Sequence, residues 1–223
     1  MQTIYRGTQA VKLLVKICGV REKENARELA ALRPDYLGFI FYAGSKRSAE
    51  PDTVEKWISI IPPEIKKVGV FVNAPIGEIV SIARRLALNY VQLHGHEDVG
   101  FCGMLREGLP EIQLIKSFRV SKALPSDTLR PFEDMCSYFL FDSPSERYGG
   151  SGEPFNWALL ADYSLSTPFF LSGGIESSRL ASVRELQRAL PQLIGIDASS
   201  KVELSPGRKS IPLVQELIKE VRR

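Results

Sequence analysis

Cysteine is sparse in this chain of 223 residues: Cys18, Cys102 and Cys136 lie far apart and form no Cys-x-x-Cys pair. An odd, scattered set supports neither a disulfide framework nor a zinc site. Only two histidines, His94 and His96, are present, which excludes a His-rich metal centre. No apolar run approaches the ~18 residues needed to cross a bilayer, and Arg6 and Lys12 interrupt Met1–Leu14 before a signal-peptide core can form. The formal charge of +3 is too small to argue for nucleic-acid or membrane binding. There is no long basic run interleaved with aromatics of the kind single-strand binders use. What is left is a soluble globular protein of the reducing cytoplasm, in which positive charge acts locally to hold an acidic small molecule.

The length suits one large domain or two small ones. Apolar runs of strand type alternate with amphipathic helical runs along the whole sequence. Strands are predicted at Val15–Cys18, Tyr36–Phe41, Lys67–Val72, Tyr90–Leu93, Ile112–Ser117, Tyr138–Phe141, Pro168–Leu171 and Ile194–Ile196. The clearest helical patterns are Glu22–Leu32, Ile76–Ala87, Ser177–Leu190 and Ile211–Val221; shorter helices fit Asp52–Ile60, Glu97–Glu107, Asp127–Met135 and Phe155–Ala161. Strict βα alternation demands parallel strands with right-handed crossovers. Eight such units predict a closed (β/α)₈ TIM barrel over residues 15–223, preceded by an N-terminal arm, 1–14. The rival, an open doubly wound sheet, would want a Gly-x-Gly-x-x-Gly after an early strand, and none occurs.

In such a barrel the chemistry belongs to residues at the carboxyl ends of the strands. Cys18 ends the first strand, with Lys16 two residues earlier on the same face, a setting expected to favour thiolate. Asp142 ends the sixth. A base at one strand end and an acid at another outline a proton-transfer site. Gly173-Gly174 after the seventh strand and Ser199-Ser200 after the eighth match the place where barrels bind phosphate. Arg47, after Ser45-Lys46, reads either as a solvated surface residue or as a planar fork for a carboxylate. His94 reads as a satisfied strand-end histidine or a catalytic one, and Asp197 as a helix cap or a partner for a ligand hydroxyl. Tyr148–Gly152 is a closing loop or a plain turn. Cys102 and Cys136 fall in helical patterns and read as packing residues.

Several segments resemble the phosphoribosylanthranilate isomerase family of tryptophan biosynthesis: Lys16-Ile17-Cys18-Gly19, Gly38–Phe41, Ser45-Lys46-Arg47, Val70–Asn73, Val91–Gly95, Gly149–Gly152, Ser172-Gly173-Gly174 and Gly195–Ser200. The resemblance runs in order over nearly the whole chain. It implies a barrel with no metal or organic cofactor, Cys18 as general base and Asp142 as general acid. It further implies Arg47 on the anthranilate carboxylate and phosphate at Gly173, Gly174, Ser199 and Ser200. His94 and Asp197 are added as substrate-binding residues, and a monomer or homodimer acting on a small phosphorylated substrate is expected. Two departures stand out. Lys201 replaces the usual glycine, which would strain a left-handed backbone by about 1–2 kcal/mol while offering phosphate a cation. Glu153-Pro154 stands where a basic residue is common.

The implied reaction is an Amadori rearrangement, which needs an acid to open the ribose ring and a base to remove the C2′ proton. It therefore asks for a thiol acidified below its ordinary value of ~8.5 and a carboxyl raised above ~3.9. A histidine-pathway barrel performing the same rearrangement is the nearest rival. It would carry aspartate at the end of strand one and a second Gly-rich phosphate loop, and this chain has neither. A catalytically silent barrel that senses a phosphorylated metabolite is the other rival, against which Cys18 and Asp142 both argue.

Overall fold

The computed structural model describes residues 12–121, 126–143 and 156–223. Eight parallel strands close on themselves: β1 Leu14–Cys18, β2 Tyr36–Phe41, β3 Lys66–Phe71, β4 Tyr90–Leu93, β5 Gln113–Arg119, β6 Tyr138–Asp142, β7 Phe169–Leu171 and β8 Leu193–Ala198. β1 pairs with β2 on one side and β8 on the other, so the barrel has no open edge. The strands are near-continuous apolar runs because both faces are covered; β2 is buried at every position. One face packs outward on the helices. The other fills the barrel with Ile40, Val68, Val70, Ile115 and Leu140. At the amino ends, the rings of Tyr36, Tyr90, Tyr138 and Phe170 pack with centroids 5.3–5.7 Å apart. That plug leaves the opposite end as the place for a cleft.

The helices are α1 Lys23–Ala31, α2 Pro51–Glu55, α3 Ile76–Arg85, α4 Val99–Gly108, α5 Ser126–Leu129, α6 Leu180–Ala189 and α7 Ile211–Val221. Four of the predicted helices differ. Ser177–Leu190 opens as a 3₁₀ turn at Ser177–Arg179 before α6 begins at Leu180. Asp52–Ile60 becomes α2 and a 3₁₀ turn at Ile58–Ile60. Asp127–Met135 becomes α5 and a 3₁₀ turn at Arg130–Phe132, because Pro131 has no N–H to continue the ladder. Of Phe155–Ala161, the described residues form only the 3₁₀ turn Trp157–Leu160. Cys136 consequently lies in the connection into β6 and not on a helix.

A two-stranded hairpin, β9 Glu203–Ser205 with β10 Arg208–Lys209, follows β8 and was not anticipated. Leu13 is buried and β1 begins at Leu14, so the barrel takes in the last residues of the predicted arm. Residues 1–11, the glycine loop Tyr148–Gly152 and Glu153-Pro154 lie outside the described residues. Among those described, no helix is long and apolar enough to cross a membrane.

Candidate active site

A cleft opens at the carboxyl ends of the strands. Cys18, Arg47, His94, Asp142, Gly173, Gly174, Asp197, Ser199 and Ser200 all line it, joined by Gln92, Ser172 and Lys201 among others. Every candidate residue read from the sequence therefore reaches one cavity, although their chain positions span most of the molecule.

Cys18 is positioned by strand geometry and by a glycine. Lys16 and Cys18 share the inward face of β1, where the Lys16 ammonium acts to lower the thiol's pKa. Gly38, beside Cys18 on β2, makes room for both: a Cβ there would stand 2.8 Å from Cys18 Sγ and 3.3 Å from Lys16 Nζ. Lys16 Nζ donates to Asp197 Oδ1 at 2.9 Å, deep in the barrel. Asp197 is thus the last-but-one residue of β8 and the counter-ion of Lys16, not a helix cap.

The protonation equilibria run opposite to those expected from the sequence. Burial pushes the Cys18 thiol up, and the Lys16 and Lys209 ammonium groups offset this only in part while the Asp197 carboxylate reinforces it. Lys16 is itself matched by Asp197, so the setting is less electropositive than its lysine suggests. Burial also acts to raise Asp142. The His94 side chain, the Ser143 backbone N–H and Ser172 more than cancel it and hold the carboxyl below its ordinary value.

Asp142 closes β6 with Oδ1 accepting from Ser143 N at 2.8 Å. Its Oδ2 lies 3.5 Å from His94 Nε2. The other ring nitrogen of His94, Nδ1, lies 2.9 Å from Gln92 Nε2. Amide nitrogen is a donor, so Nδ1 accepts and the ring proton sits on Nε2, facing Asp142. Histidine and acid are therefore neighbours in the cleft, with Gln92 on the far side of the ring.

Arg47 is buried, not solvated. Its Nε donates to Glu203 Oε1 and Oε2 at 2.9 and 3.0 Å, and its Nη2 donates to Oε2 at 2.9 Å. Lys209 Nζ donates to the same Oε1 at 2.6 Å and to the carbonyl and hydroxyl of Ser199, both at 3.2 Å. The Ser199 hydroxyl proton goes to the Cys18 carbonyl at 3.0 Å, so only its backbone remains to serve an anion.

Gly173 and Gly174 take left-handed φ values of 85° and 67°, a conformation glycine adopts without a Cβ clash, and put main chain at the cleft wall. Ser200 starts a 3₁₀ turn, Ser200–Val202, and lines the same cavity. Lys201 sits in that turn, and the described non-glycine residues with positive φ are Arg33, Asn73 and Ala87. The strain considered for Lys201 is absent.

Glu203 and Lys209 escaped the sequence reading. Their one signal was Pro206-Gly207, a turn dipeptide that marks the hairpin carrying both. Among the described residues, no cluster of three His, Cys, Asp or Glu side chains is placed to hold a metal ion.

A family model described as N-(5'phosphoribosyl)anthranilate (PRA) isomerase matches residues 15–220. The chain is 39% identical to the N-(5'-phosphoribosyl)anthranilate isomerase of Parabacteroides distasonis, with 94% of this chain and 93% of that one covered. It is 37% identical to its counterpart from Thermotoga neapolitana, covering 93% and 98% respectively. Among solved structures, phosphoribosyl anthranilate isomerase from Thermotoga maritima superposes with a TM-score of 0.82 at 32% identity, over 94% of this chain and 98% of that one. A phosphoribosyl anthranilate isomerase in complex with reduced 1-(o-carboxyphenylamino)-1-deoxyribulose 5-phosphate superposes with a TM-score of 0.77 at 30% identity, with the same coverage.

Proposed function

The chain belongs to the N-(5'-phosphoribosyl)anthranilate isomerase family, and from that premise we propose that it performs this isomerisation in tryptophan biosynthesis with Cys18 as general base and Asp142 as general acid. The observation that carries the proposal is the meeting of these two groups in one cleft, each with its own partner: Cys18 against Lys16, Asp142 against His94.

Asp142 gives a proton to the ribose ring oxygen, and the sugar opens to a Schiff base. Cys18, as thiolate, removes the C2′ proton, leaving an enolamine that tautomerises to the ketone. The product is 1-(2-carboxyphenylamino)-1-deoxyribulose 5-phosphate. His94 acts on Asp142 and not on the substrate carbon, since its Nε2 proton faces the carboxylate. Arg47, at the cleft wall, meets the anthranilate carboxylate. The glycine main chain at Gly173-Gly174 and the turn from Ser199 to Ser200 receive the phosphate, and Asp197 stands near the ribose hydroxyls.

The site favours a Cys18 thiol and an Asp142 carboxylate, whereas the reaction needs thiolate and acid. The two forms contain the same single proton. The productive state is therefore a minor tautomer of the resting pair, and no proton has to be taken up or released to reach it. Mixing purified protein with N-(5'-phosphoribosyl)anthranilate and following the loss of anthranilate-type fluorescence tests the proposal. Multiple turnovers are expected; stoichiometric binding without turnover would favour the silent sensor.

A further inference from the structure

Two charged side chains buried outside the cleft lining, Glu97 and Lys116, have no part in the reaction just described. They are 1% and 4% exposed and meet at 2.9 Å, Nζ donating to Oε2. Lys116 lies on β5 in register with Leu93, the last residue of β4, and its Nζ also donates to the carbonyls of Gly95 at 2.9 Å and Leu93 at 3.4 Å. Glu97 Oε2 accepts from Gly95 N at 2.9 Å, and Oε1 from Asn73 N at 2.8 Å. The Leu93 carbonyl belongs to the peptide before His94, and the Gly95 N–H to the peptide after it. The ion pair thus grips both peptide groups that flank His94. Burial works against the Glu97 charge, but Lys116 and the Asn73 N–H hold the carboxyl below its ordinary value.

We propose that Glu97 is a positioning residue: with Lys116 it fixes the backbone at His94 and so aims the imidazole at Asp142. The proposal rests on the reading in which His94 acts on Asp142. The peptide planes on either side of a residue set the direction of its Cα–Cβ bond, and hence where its ring can reach. His94 Nε2 stands 3.5 Å from Asp142 Oδ2, at the outer limit of a hydrogen bond, so a small rotation of either peptide takes it out of reach. The surroundings leave no slack. A Cβ on Gly95 would collide with Asn73 Oδ1 and stand 2.8 Å from Glu97 Oε1. Asn73 itself holds a left-handed φ of 50°, and its Oδ1 accepts from His96 N at 2.8 Å. Backbone strain of this kind persists where the surroundings enforce a geometry. Stability alone is a poor reason for the pair, since well-packed apolar residues of similar volume often do as well.

Turnover of N-(5'-phosphoribosyl)anthranilate is measured, alongside thermal melts, in Glu97→Gln combined with Lys116→Met and in Glu97→Asp. His94→Asn is measured alone and joined to each. The double substitution removes both charges together, so no buried charge is stranded, and the new amide can accept from only one of the two backbone donors. Glu97→Asp keeps a charge for Lys116 but is too short to span Asn73 and Gly95. Either variant should lose about tenfold in kcat, while KM stays within about twofold of the parent. In the His94→Asn background the same substitutions should cost almost nothing more, because the group they position is gone.

Losses that multiply in the His94→Asn background, or that fall on KM as much as on kcat, overturn the proposal. Loss of the fold in both variants makes the pair a structural brace and overturns it too. If His94→Asn alone turns over like the parent, the reading of His94 fails and the inference goes with it. A damaged His94→Asn beside a folded Glu97 variant with the parent's kcat defeats the inference alone.

Discussion

Lys16 Nζ and Asp197 Oδ1 meet at 2.9 Å inside the barrel, on directly registered positions of β1 and β8. Burial alone would strip the lysine of its proton, but the attraction of Asp197 and of Cys18 outweighs it and keeps the ammonium charged. One cation thus serves two groups: the Asp197 carboxyl, which burial pushes above its ordinary value against the pull of Lys16, and a thiolate that must form during the reaction. Charge at the base is tied to the closure of the barrel.

Breaking this pair should therefore affect stability and catalysis separately. Lys16→Met strands a buried carboxylate and is expected to lower unfolding free energy by about 3–5 kcal/mol, read from urea denaturation. Lys16→Met combined with Asp197→Leu replaces both charges with apolar groups and should regain most of that loss. Activity should stay low in the double variant, because Cys18 has lost its nearest cation. Full recovery of kcat in the double variant would show that Lys16 acts on the fold alone.

Cys18 and Asp142 should behave as proton-transfer groups. General acid–base catalysis typically contributes ~10²–10⁴-fold, so Cys18→Ala, Cys18→Ser and Asp142→Asn should each lower kcat by that order, with smaller changes in KM. Cys102 and Cys136 are buried, away from the cleft lining, and their serine variants should nearly preserve kcat. Retained activity in Cys18→Ser beside its loss in Cys102→Ser would remove the base from β1.

The pH profile follows from the directions of the two shifts. The competent enzyme carries one proton on the Cys18–Asp142 pair. It gains a second only below the folded pKa of Asp142, which lies under the ordinary 3.8, and loses the first only above that of Cys18, which lies over the ordinary 9.0. Hence kcat/KM should be flat from about pH 5 to pH 8, with limbs outside that window. Limbs inside it would mean that the free enzyme holds thiolate and acid, the arrangement the sequence alone suggested.

The strands were legible because a fully covered parallel strand is a short apolar run between turn residues; β2 and β4 have the bounds their sequence predicts. Strand ends then delivered the site, since β1 stops at Cys18 and β6 at Asp142. What escaped depends on distance in the chain. Asp197 could not be matched to Lys16 without the β1–β8 register, nor Arg47 to Glu203 across 156 residues. In sequence, Glu203, Arg208 and Lys209 resemble a solvated run; only the fold buries Lys209 and brings Glu203 to Arg47. The protonation directions were misjudged for a related reason. Type and spacing revealed which charges lie near Cys18, but not how completely it is buried.

Lys201 offers the clearest separation of backbone strain from ligand contact. It is exposed, lies in the turn Ser200–Val202, and lines the same cleft as Gly173, Gly174, Ser199 and Ser200. Its backbone is not left-handed, so Lys201→Gly has no strain to relieve. The added chain entropy should leave stability unchanged or lower it by about 0.5–1 kcal/mol. An exposed charge contributes ~0–1 kcal/mol to a contact, so KM should rise no more than about fivefold, with kcat untouched. Salt should erase the difference, because it screens exposed charges. Lys201→Met, which removes the charge and keeps the backbone, should show the same salt-sensitive KM with no change in stability. KM values equal to the parent's in both variants at low ionic strength would take Lys201 out of phosphate binding, and a stabilised glycine variant would restore the strain that the backbone geometry denies.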